Sequence, residues 1–368
     1  MKRENGNILL EILIVIAILA IIFSLGILGL RYLNITPNDI IDNIAFLEPK
    51  SQNFESKKID SERNIVLTVG EEEKLNSSNI NQEKGYYYSQ LNSESKIIYD
   101  KLYENKDNLK TGNYKIEFGK SFNDLLNTEN GSEQLTKIFQ SAWDAFSYDN
   151  MDAFYIDIQK FLLITESKTI FGKTTYYISV GSGDEGYLIS DFTSKEQVDL
   201  ALKYIDKNVN TLIANLKDYD NYTKVKYVHN WIVENLEYDT TLSKSNIRNI
   251  YGALKNKEVV CEGYAKLFKY ILDKLNIPCV LISGEAQNST GKTESHAWNY
   301  VKLNGKWYAV DVTWDDPIIQ GNGILRDSDK YKYFLKGSNE FLKDHKPDGK
   351  FVDNSMEFKL PTLSVENY

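Results

Sequence analysis

The sequence predicts an α+β fold in which a helix packs on an antiparallel sheet, preceded by a small α+β domain and an amino-terminal transmembrane helix. Apolar residues recur at helical spacing after Cys261. The dipeptide Asn304-Gly305 lies between two segments typical of strands, as in a two-residue hairpin. Ile12–Leu30 is a run of nineteen uncharged residues, close to the about 20 residues that a helix needs to cross a bilayer.

Composition limits the classes of protein to consider. The 368 residues exceed one average domain and predict more than one folded part. A hydrophobic content of 42% and an aromatic content of 12% are sufficient for buried cores and exclude global disorder. A formal net charge of -9 argues against nucleic acid as a partner, because phosphate binding needs a basic surface. Two cysteines are too few for a disulfide-stabilised scaffold.

The amino-terminal apolar run is flanked by charge in a way that predicts its orientation. Lys2 and Arg3 precede it, which places the amino end in the cytoplasm and the rest of the chain outside the cell. No small-residue cleavage site follows the run, so we expect a permanent single-pass anchor in the cell membrane. A buried core helix is the alternative.

Gly6 and Glu11 are further features of this end. A basic leader, a glycine and then a glutamate at the start of the apolar run resembles the processing site of type IV prepilins. The resemblance implies cleavage after Gly6, a role for Glu11 in assembly, and a pilus-type assembly as partner. That family favours Phe after the cut, whereas Asn7 stands here, so a plain signal anchor stays open.

The rest of the chain divides by composition. A polar segment without a sustained period is typical of a flexible spacer. Beyond it, helical stripes at Glu94–Tyr103 and Leu135–Phe146 alternate with strand patterns at Tyr114–Phe118 and Tyr176–Val180, and Ser194 with Gln197 forms a capping box. The predicted domains are the anchor or prepilin-like segment 1–34, the spacer 35–84, an accessory α+β domain 85–216 and a catalytic domain 217–368.

Cys261 is predicted to lie at the start of a helix. The residues after it share the spacing of one buried helical face; they are Tyr264, Leu267, Phe268, Ile271, Leu272 and Leu275. The unpaired amides and the dipole at a helix start favour a thiolate and could hold an oxyanion. A cysteine in this position is a candidate nucleophile.

His296 and Asp311 are brought together by the predicted hairpin. With Asn304-Gly305 as its turn, Leu303 pairs with Lys306, so His296 faces Thr313 and Asp311 faces Trp298. The side chains of His296 and Asp311 then lie on one face as diagonal neighbours, about 7–8 Å apart at the backbone. An acid in this position can fix the orientation and tautomer of an imidazole.

Three blocks resemble the transglutaminase-like superfamily, which has a papain-like fold. They are Val260-Cys261-Glu262-Gly263-Tyr264-Ala265, Ser295-His296-Ala297-Trp298-Asn299, and Tyr308-Ala309-Val310-Asp311-Val312-Thr313-Trp314-Asp315-Asp316-Pro317. The resemblance covers Asn221 to Pro317, with the companion segment before it matched only loosely. It implies a papain-like transglutaminase core of the secreted bacterial type, with the nucleophile helix packed on an antiparallel sheet.

The resemblance also implies roles. Cys261 would be the nucleophile that forms a thioester, His296 the base and then the acid, and Asp311 the residue that orients His296. No cofactor is required, and the substrate would be a protein or peptide, such as a cell-wall or surface protein. Cross-linking, deamidation and proteolysis all stay open. Trp231 and Tyr238 are candidates for a side-chain oxyanion donor by position, although core packing suits each.

Other residues have simpler interpretations. Cys279 is expected to be a core-strand thiol, although a disulfide with Cys261 would mask the nucleophile. His229 and His345 are expected to be structural. A metal site is not expected, because no histidine pair stands at i, i+3 or i, i+4. Asp315 and Asp316 suit a capped turn better than a calcium site. The rival hypothesis is a non-catalytic surface or minor pilin-like subunit that uses the domain for binding.

Overall fold

The computed structural model describes residues 84–183, 186–288, 291–316, 330–352 and 354–368. The predicted anchor, Gly6, Glu11 and residues 35–83 of the predicted spacer lie outside these ranges. Within them, no helix combines the length and the apolar character needed to cross a membrane.

Residues 84–216 form helices around a three-stranded antiparallel sheet of order β1-β3-β2. The helices are α1 Ser93–Glu104, α2 Lys106–Leu109, α3 Asn123–Leu126, α4 Gly131–Asp149 and α5 Lys195–Ile213. The strands are β1 Ile116–Gly119, β2 Leu162–Ile170 and β3 Lys173–Gly181, and short 3₁₀ helices span Tyr88–Gln90 and Met151–Ala153.

The predicted elements of this part are confirmed, with one omission. Helices α1 and α4 cover both helical stripes, and β3 covers the strand pattern at Tyr176–Val180. Strand β1 covers the other pattern from Ile116 on, and Tyr114 lies before the strand. Ser194 caps α5, accepting a hydrogen bond from the backbone of Gln197. The Gln197 side chain accepts from the backbone N–H of Thr193 at 2.8 Å, one residue before the position that a standard capping box uses. Strand β2 was not predicted, because most of its length is exposed and it lacks alternation.

Residues 217–368 contain a four-stranded antiparallel sheet of order β8-β7-β6-β9. Its strands are β6 Cys279–Gln287, β7 Thr293–Leu303, β8 Lys306–Val310 and β9 His345–Asp348. The helices are α6 Asn221–Asn235, α7 Ile250–Lys255, α8 Cys261–Lys274 and α9 Ser338–Phe341, and β4 Glu237–Tyr238 pairs in parallel with β5 Glu258–Val259.

This sheet is covered on both faces. In β7, Trp298 and Tyr300 pack in an apolar cluster with residues of the 84–216 part. The alternate residues Ala297 and Val301 pack with α6 and α8 in a second cluster. The result is a mixed α/β core with the sheet in its middle. The domain boundary between residues 216 and 217 stays a prediction, since residues from both sides of it share the first cluster.

The residues around Cys261 and Lys274 determine where helix α8 begins and ends. Val260 before it is extended, with φ −92° and ψ 176°. Of the predicted apolar stripe, the residues from Tyr264 to Leu272 are buried in the second cluster, and Leu275 is partly buried against it. The helix ends where Asn276 adopts φ 57° and Ile277 donates its N–H to the carbonyl of Leu272, at 3.0 Å, a closure that suits a left-handed residue after the helix. The predicted start at Cys261 is confirmed.

The hairpin register is confirmed, but its length is shorter than predicted. Asn304 and Gly305 have φ 49° and 80°, and Leu303 pairs with Lys306. Pairing stops at Asn299 with Val310, so the predicted pairing of residues 311 and 313 with Trp298 and His296 was wrong. The reason is local: the carboxylate of Asp311 accepts the backbone N–H groups of the residues two and three positions later, which turns the chain out of the strand.

Candidate active site

Cys261 lies at the first position of α8 and is nearly covered, with 6% of its surface exposed. The backbone N–H groups of Gly263 and Tyr264 already bond to the carbonyl of Val260. The N–H groups of Cys261 and Glu262 precede the first bonded N–H groups of α8. They lie at the amino end of the helix, which attracts anions. These N–H groups could hold an oxyanion that forms next to the sulfur of Cys261.

Gly263 allows the first turn of α8 to lie against the chain that precedes it. A Cβ at this position would come within 2.6 Å of the Val259 side chain and 2.7 Å of the carbonyl oxygen of Ile247. Any larger residue would push the start of the helix away. The glycine two residues after the cysteine thus fixes where the thiol lies.

Glu262 places a negative charge next to Cys261, and that charge is compensated. Its carboxylate contacts Arg248 at 2.9 Å and Lys266 at 2.7 Å. Burial alone would raise the pKa of Glu262, but attraction to Lys266 and Arg248 brings the pKa below its ordinary value. Glu262 therefore supports the helix start with little repulsion left for an adjacent thiolate.

His296 is buried between Asp311 and the Cys261 thiol. Its Nε2 lies 2.7 Å from Oδ2 of Asp311, which leaves Nδ1 for the thiol. Burial alone lowers the pKa of His296, but the charge of Asp311, the hydrogen bond to it, and hydrogen bonding and charge from Cys261 raise the pKa well above its ordinary value. The structure thus brings the three predicted site residues together.

Asp311 has four hydrogen-bond donors. Oδ1 accepts the backbone N–H groups of Thr313 at 3.0 Å and Trp314 at 3.2 Å, and Oδ2 contacts Nε2 of His296 at 2.7 Å and Nε2 of His345 at 3.2 Å. Burial raises the pKa of Asp311, but the two imidazoles more than compensate and bring it well below its ordinary range. The carboxylate is ionised and fixed in orientation.

The turn that follows Asp311 holds two helices in place. Asp315 accepts from the backbone N–H of Tyr333 at 2.8 Å and contacts Nε2 of His229, on α6, at 3.0 Å. Asp316 accepts a 2.5 Å hydrogen bond from the hydroxyl of Tyr264, on α8. The two acids therefore connect the turn to α6 and to the nucleophile helix.

Asn299 is a second connection between the hairpin and α8. Its side-chain N–H donates to the carbonyl of Ala265, at 3.1 Å, and the side chain is fully buried. Because Ala265 lies one turn after Cys261 and Asn299 lies three residues after His296, this bond fixes the helix start relative to the imidazole. Sequence analysis quoted Asn299 but gave it no role.

His345 is the residue whose location the sequence did not predict. It opens β9, and its pairing with Ala286 on β6 brings its ring to Asp311. The ligand atoms of His296, Asp311 and His345 lie within 4.8 Å of one another, so this trio could in principle hold a metal ion. The distances of 2.7 and 3.2 Å from the two nitrogens to the carboxylate oxygen are, however, those of hydrogen bonds.

The second cysteine is in a different environment. Cys279 begins β6, is buried, and is a free thiol, as is Cys261. Burial raises the pKa of Cys279 well above its ordinary range, and attraction to Lys269 offsets this only in part. The expectation of a core-strand thiol is confirmed, and the disulfide alternative does not occur.

The two candidates for an oxyanion donor lie on neighbouring elements. Tyr238 in β4 pairs with Val259, two residues before Cys261, and is partly buried. Trp231 lies on α6 and is partly buried against the same apolar cluster. Their role in the site stays a prediction.

Comparisons with known proteins find similarity in the part of the chain that holds this site. Residues 210–312 match the family described as the Transglutaminase-like superfamily. Kyphoscoliosis peptidase of Mus musculus is 28% identical over 165 residues, which is 40% of this chain and 24% of the relative. The Homo sapiens protein of the same name is 26% identical over 181 residues, which is 44% of this chain and 26% of the relative. The chain thus spans about a quarter of the length of these curated relatives.

Among solved structures, one described as the crystal structure of a TGase is 19% identical, with a TM-score of 0.28, covering 45% of this chain and 46% of that chain. Cys261, His296 and Asp311 all fall within the matched residues 210–312. The family match thus places the transglutaminase-like similarity of this chain in residues 210–312.

Proposed function

We propose that this protein is a cysteine acyl-transfer enzyme in which Cys261 is the nucleophile, His296 the acid–base and Asp311 the orienting carboxylate. The observation that carries the proposal is the position of His296, which interacts with the thiol and with an ionised carboxylate at once. A nucleophile, a base and an orienting group in contact form a complete set for covalent catalysis.

The first half of the reaction forms a thioester. His296 takes the thiol proton, and the sulfur of Cys261 attacks the carbonyl carbon of a carboxamide or peptide. The developing oxyanion is stabilised by N–H groups at the start of α8. When the C–N bond breaks, His296 gives its proton to the departing nitrogen.

The second half releases the acyl group. An amine or a water molecule attacks the thioester while neutral His296 accepts its proton. The C–S bond breaks, and the proton on His296 balances the thiolate that is regenerated. An amine gives a cross-linked product, and water gives hydrolysis. We propose a protein or peptide as substrate, in the chemical class of cell-wall or surface proteins.

The location is a separate proposal. Ile12–Leu30 would anchor the chain in the cell membrane with the amino end in the cytoplasm and the domain outside. Protease treatment of intact cells should then digest the domain, and protection of the domain would contradict this orientation. Sequencing of the mature amino terminus tests the prepilin-like alternative, because Asn7 as first residue requires cleavage after Gly6.

The test of the enzymatic proposal uses p-nitrophenyl acetate with the full chain. We expect a burst of p-nitrophenol and an acetyl adduct that peptide mapping assigns to Cys261. A chase with butylamine or with buffer alone distinguishes aminolysis from hydrolysis. The Cys279→Ser variant should behave as wild type, whereas Cys261→Ser should form no adduct. An equal burst from Cys261→Ser would overturn the proposal and favour the non-catalytic binding module.

A further inference from the structure

The hydrogen-bonded chain that begins at Cys261 extends beyond Asp311. The ring of His345 lies with Nε2 at 3.2 Å from Asp311 and with Nδ1 at 2.7 Å from Oδ1 of Asp344. Asp344 also accepts from the hydroxyl of Tyr333 at 2.9 Å. His345 and Asp344 lie outside the residues matched to the superfamily.

The hydrogen bonds of His345 determine how many protons it shares with the carboxyl groups of Asp311 and Asp344. A carboxylate can only accept, so each ring nitrogen that contacts one must carry a proton. Two contacts with carboxyl groups need two protons, and a neutral histidine supplies one. The Asp311–His345–Asp344 chain therefore contains one proton more than a neutral histidine between two carboxylates.

The surroundings of His345 hold its ring in place. Its side chain is fully buried and is enclosed by aromatic rings. The ring-centre distances are 4.0 Å to Phe341, 4.6 Å to Trp314, 5.0 Å to Trp298 and 5.3 Å to Tyr333. The stacked Phe341 ring restricts the plane of the imidazole, so both of its ring nitrogens stay directed at the two carboxylates.

Among the residues that the structure describes, few charged groups lie around His345. Asp311 follows β8, His296 on β7 has its ring 5.8 Å away, and Asp344 directly precedes His345. The hydroxyl of Tyr333 donates to Asp344. On the adjacent strand β6, Glu285 forms its ion pair with Lys346 at 3.8 Å. Asp311 thus lies between two imidazoles, and the charge of one affects the other.

We propose that His345, held by Asp344, is a positioning residue that orients the Asp311 carboxylate and limits how strongly this carboxylate stabilises the His296 imidazolium. The inference rests on the proposed function, because it concerns the same site. His345 donates to the same carboxylate oxygen of Asp311 that contacts His296. Removing this donor leaves the oxygen to His296 alone, which then holds its proton to higher pH.

The experiment compares alkylation of Cys261 by iodoacetate and by iodoacetamide across pH in the full chain. A neighbouring imidazolium accelerates the anionic reagent but not the neutral one, so the pH at which the rate ratio falls reports loss of the His296 proton. We expect this midpoint to rise by about half a pH unit or more in His345→Gln. Asp344→Asn should shift it in the same direction, and Asp344→Glu should restore it.

The Asp344 variants test whether a shift in His345→Gln comes from misfolding. The Asp344 side chain is 29% exposed and tolerates substitution more readily than His345. His229→Gln is the matched control, since His229 forms a buried pair with Asp315 that does not touch His296. It should lower stability without moving the midpoint.

Two results would overturn the inference. A midpoint in His345→Gln and Asp344→Asn that equals wild type would show a merely structural role, as would equal shifts in His229→Gln. Wild-type protein with no pH-dependent ratio would instead contradict the imidazolium at His296, and so the proposed function together with this inference.

Discussion

Two buried histidine–aspartate pairs lie on the same turn, and they behave differently. His296 with Asp311 and His229 with Asp315 are at 2.7 and 3.0 Å, and all four side chains are nearly or fully buried. Yet the pKa of Asp311 is well below its ordinary range, whereas burial raises the pKa of Asp315 to about 6, with His229 offsetting only part of the increase.

The number of donors explains the difference. Asp311 accepts from two backbone N–H groups and contacts two imidazoles, whereas Asp315 accepts from one backbone N–H and contacts one imidazole. A buried carboxylate stays ionised only when enough donors replace its water. Proximity of a histidine and an acid is therefore insufficient to make an orienting pair.

The largest expected effect is a difference in activity between variants of Asp311 and variants of Asp315. Asp311→Asn should lower the rate of acylation by p-nitrophenyl acetate on the order of 10³-fold, because an amide cannot hold His296 in the same tautomer and charge state. Asp315→Asn should stay within about threefold of wild type. Burst kinetics measure the acylation rate of both variants. Equal losses of rate would show that the two histidine–aspartate pairs do not differ in function.

A smaller effect tests whether the bond from Asn299 to Ala265 holds the His296–Asp311 pair in position relative to the Cys261 thiol. Asn299→Ala removes the bond to Ala265 and should lower the acylation rate about tenfold, because a small displacement of α8 misaligns thiol and imidazole. Loss of a buried hydrogen bond should also lower the free energy of unfolding by about 1–2 kcal/mol.

Asn208→Ala is the control for Asn299→Ala. The Asn208 side chain donates to the carbonyl of Tyr204 at 2.8 Å on an exposed part of α5. Its loss should leave the acylation rate unchanged. A rate in Asn299→Ala that matches this control would show that the bond does not position the site.

A further effect concerns stability and its dependence on pH rather than activity. The raised pKa of Asp315 means that the folded state binds its proton more tightly than the unfolded state. The stability that Asp315 contributes in this way is fully present below its unfolded-state pKa of about 4, and it is lost as pH rises through about 6. Asp315→Asn should therefore gain stability relative to wild type over this range, by up to about 3 kcal/mol.

The lowered pKa of Asp311 gives the opposite sign. Its contribution is present above about pH 4 and is lost as pH falls through the folded-state pKa. Asp311→Asn should lose stability relative to wild type as pH rises from strongly acidic values. Urea unfolding at several pH values measures both slopes, and slopes of the same sign would contradict the assignment.

Local patterns predicted part of this site. The helix start at Cys261 follows from apolar spacing, and the hairpin register follows from Asn304-Gly305, so His296 and Asp311 could be placed near each other without coordinates. The pattern could not show that the strand ends at Val310, because the turn depends on the carboxylate of Asp311 itself.

Long-range pairing accounts for what the sequence did not reveal. His345 reaches Asp311 only because β9 pairs with β6, some 60 residues earlier, and no local period marks a four-residue strand. The contacts of Asp315 with His229 and of Asp316 with Tyr264 also join elements far apart in sequence. The acids were expected to form a turn, but their partners depend on the fold.

The central claim is that His296 makes one of two buried cysteines a nucleophile, and the relative alkylation of these cysteines tests it most directly. Folded full-length protein is treated with iodoacetamide at neutral pH, and peptide mapping follows each thiol. We predict that Cys261 reacts on the order of 10² times faster than Cys279, and that His296→Gln removes most of this advantage. Equal rates at the two cysteines, or a Cys261 rate that His296→Gln leaves unchanged, would contradict the account.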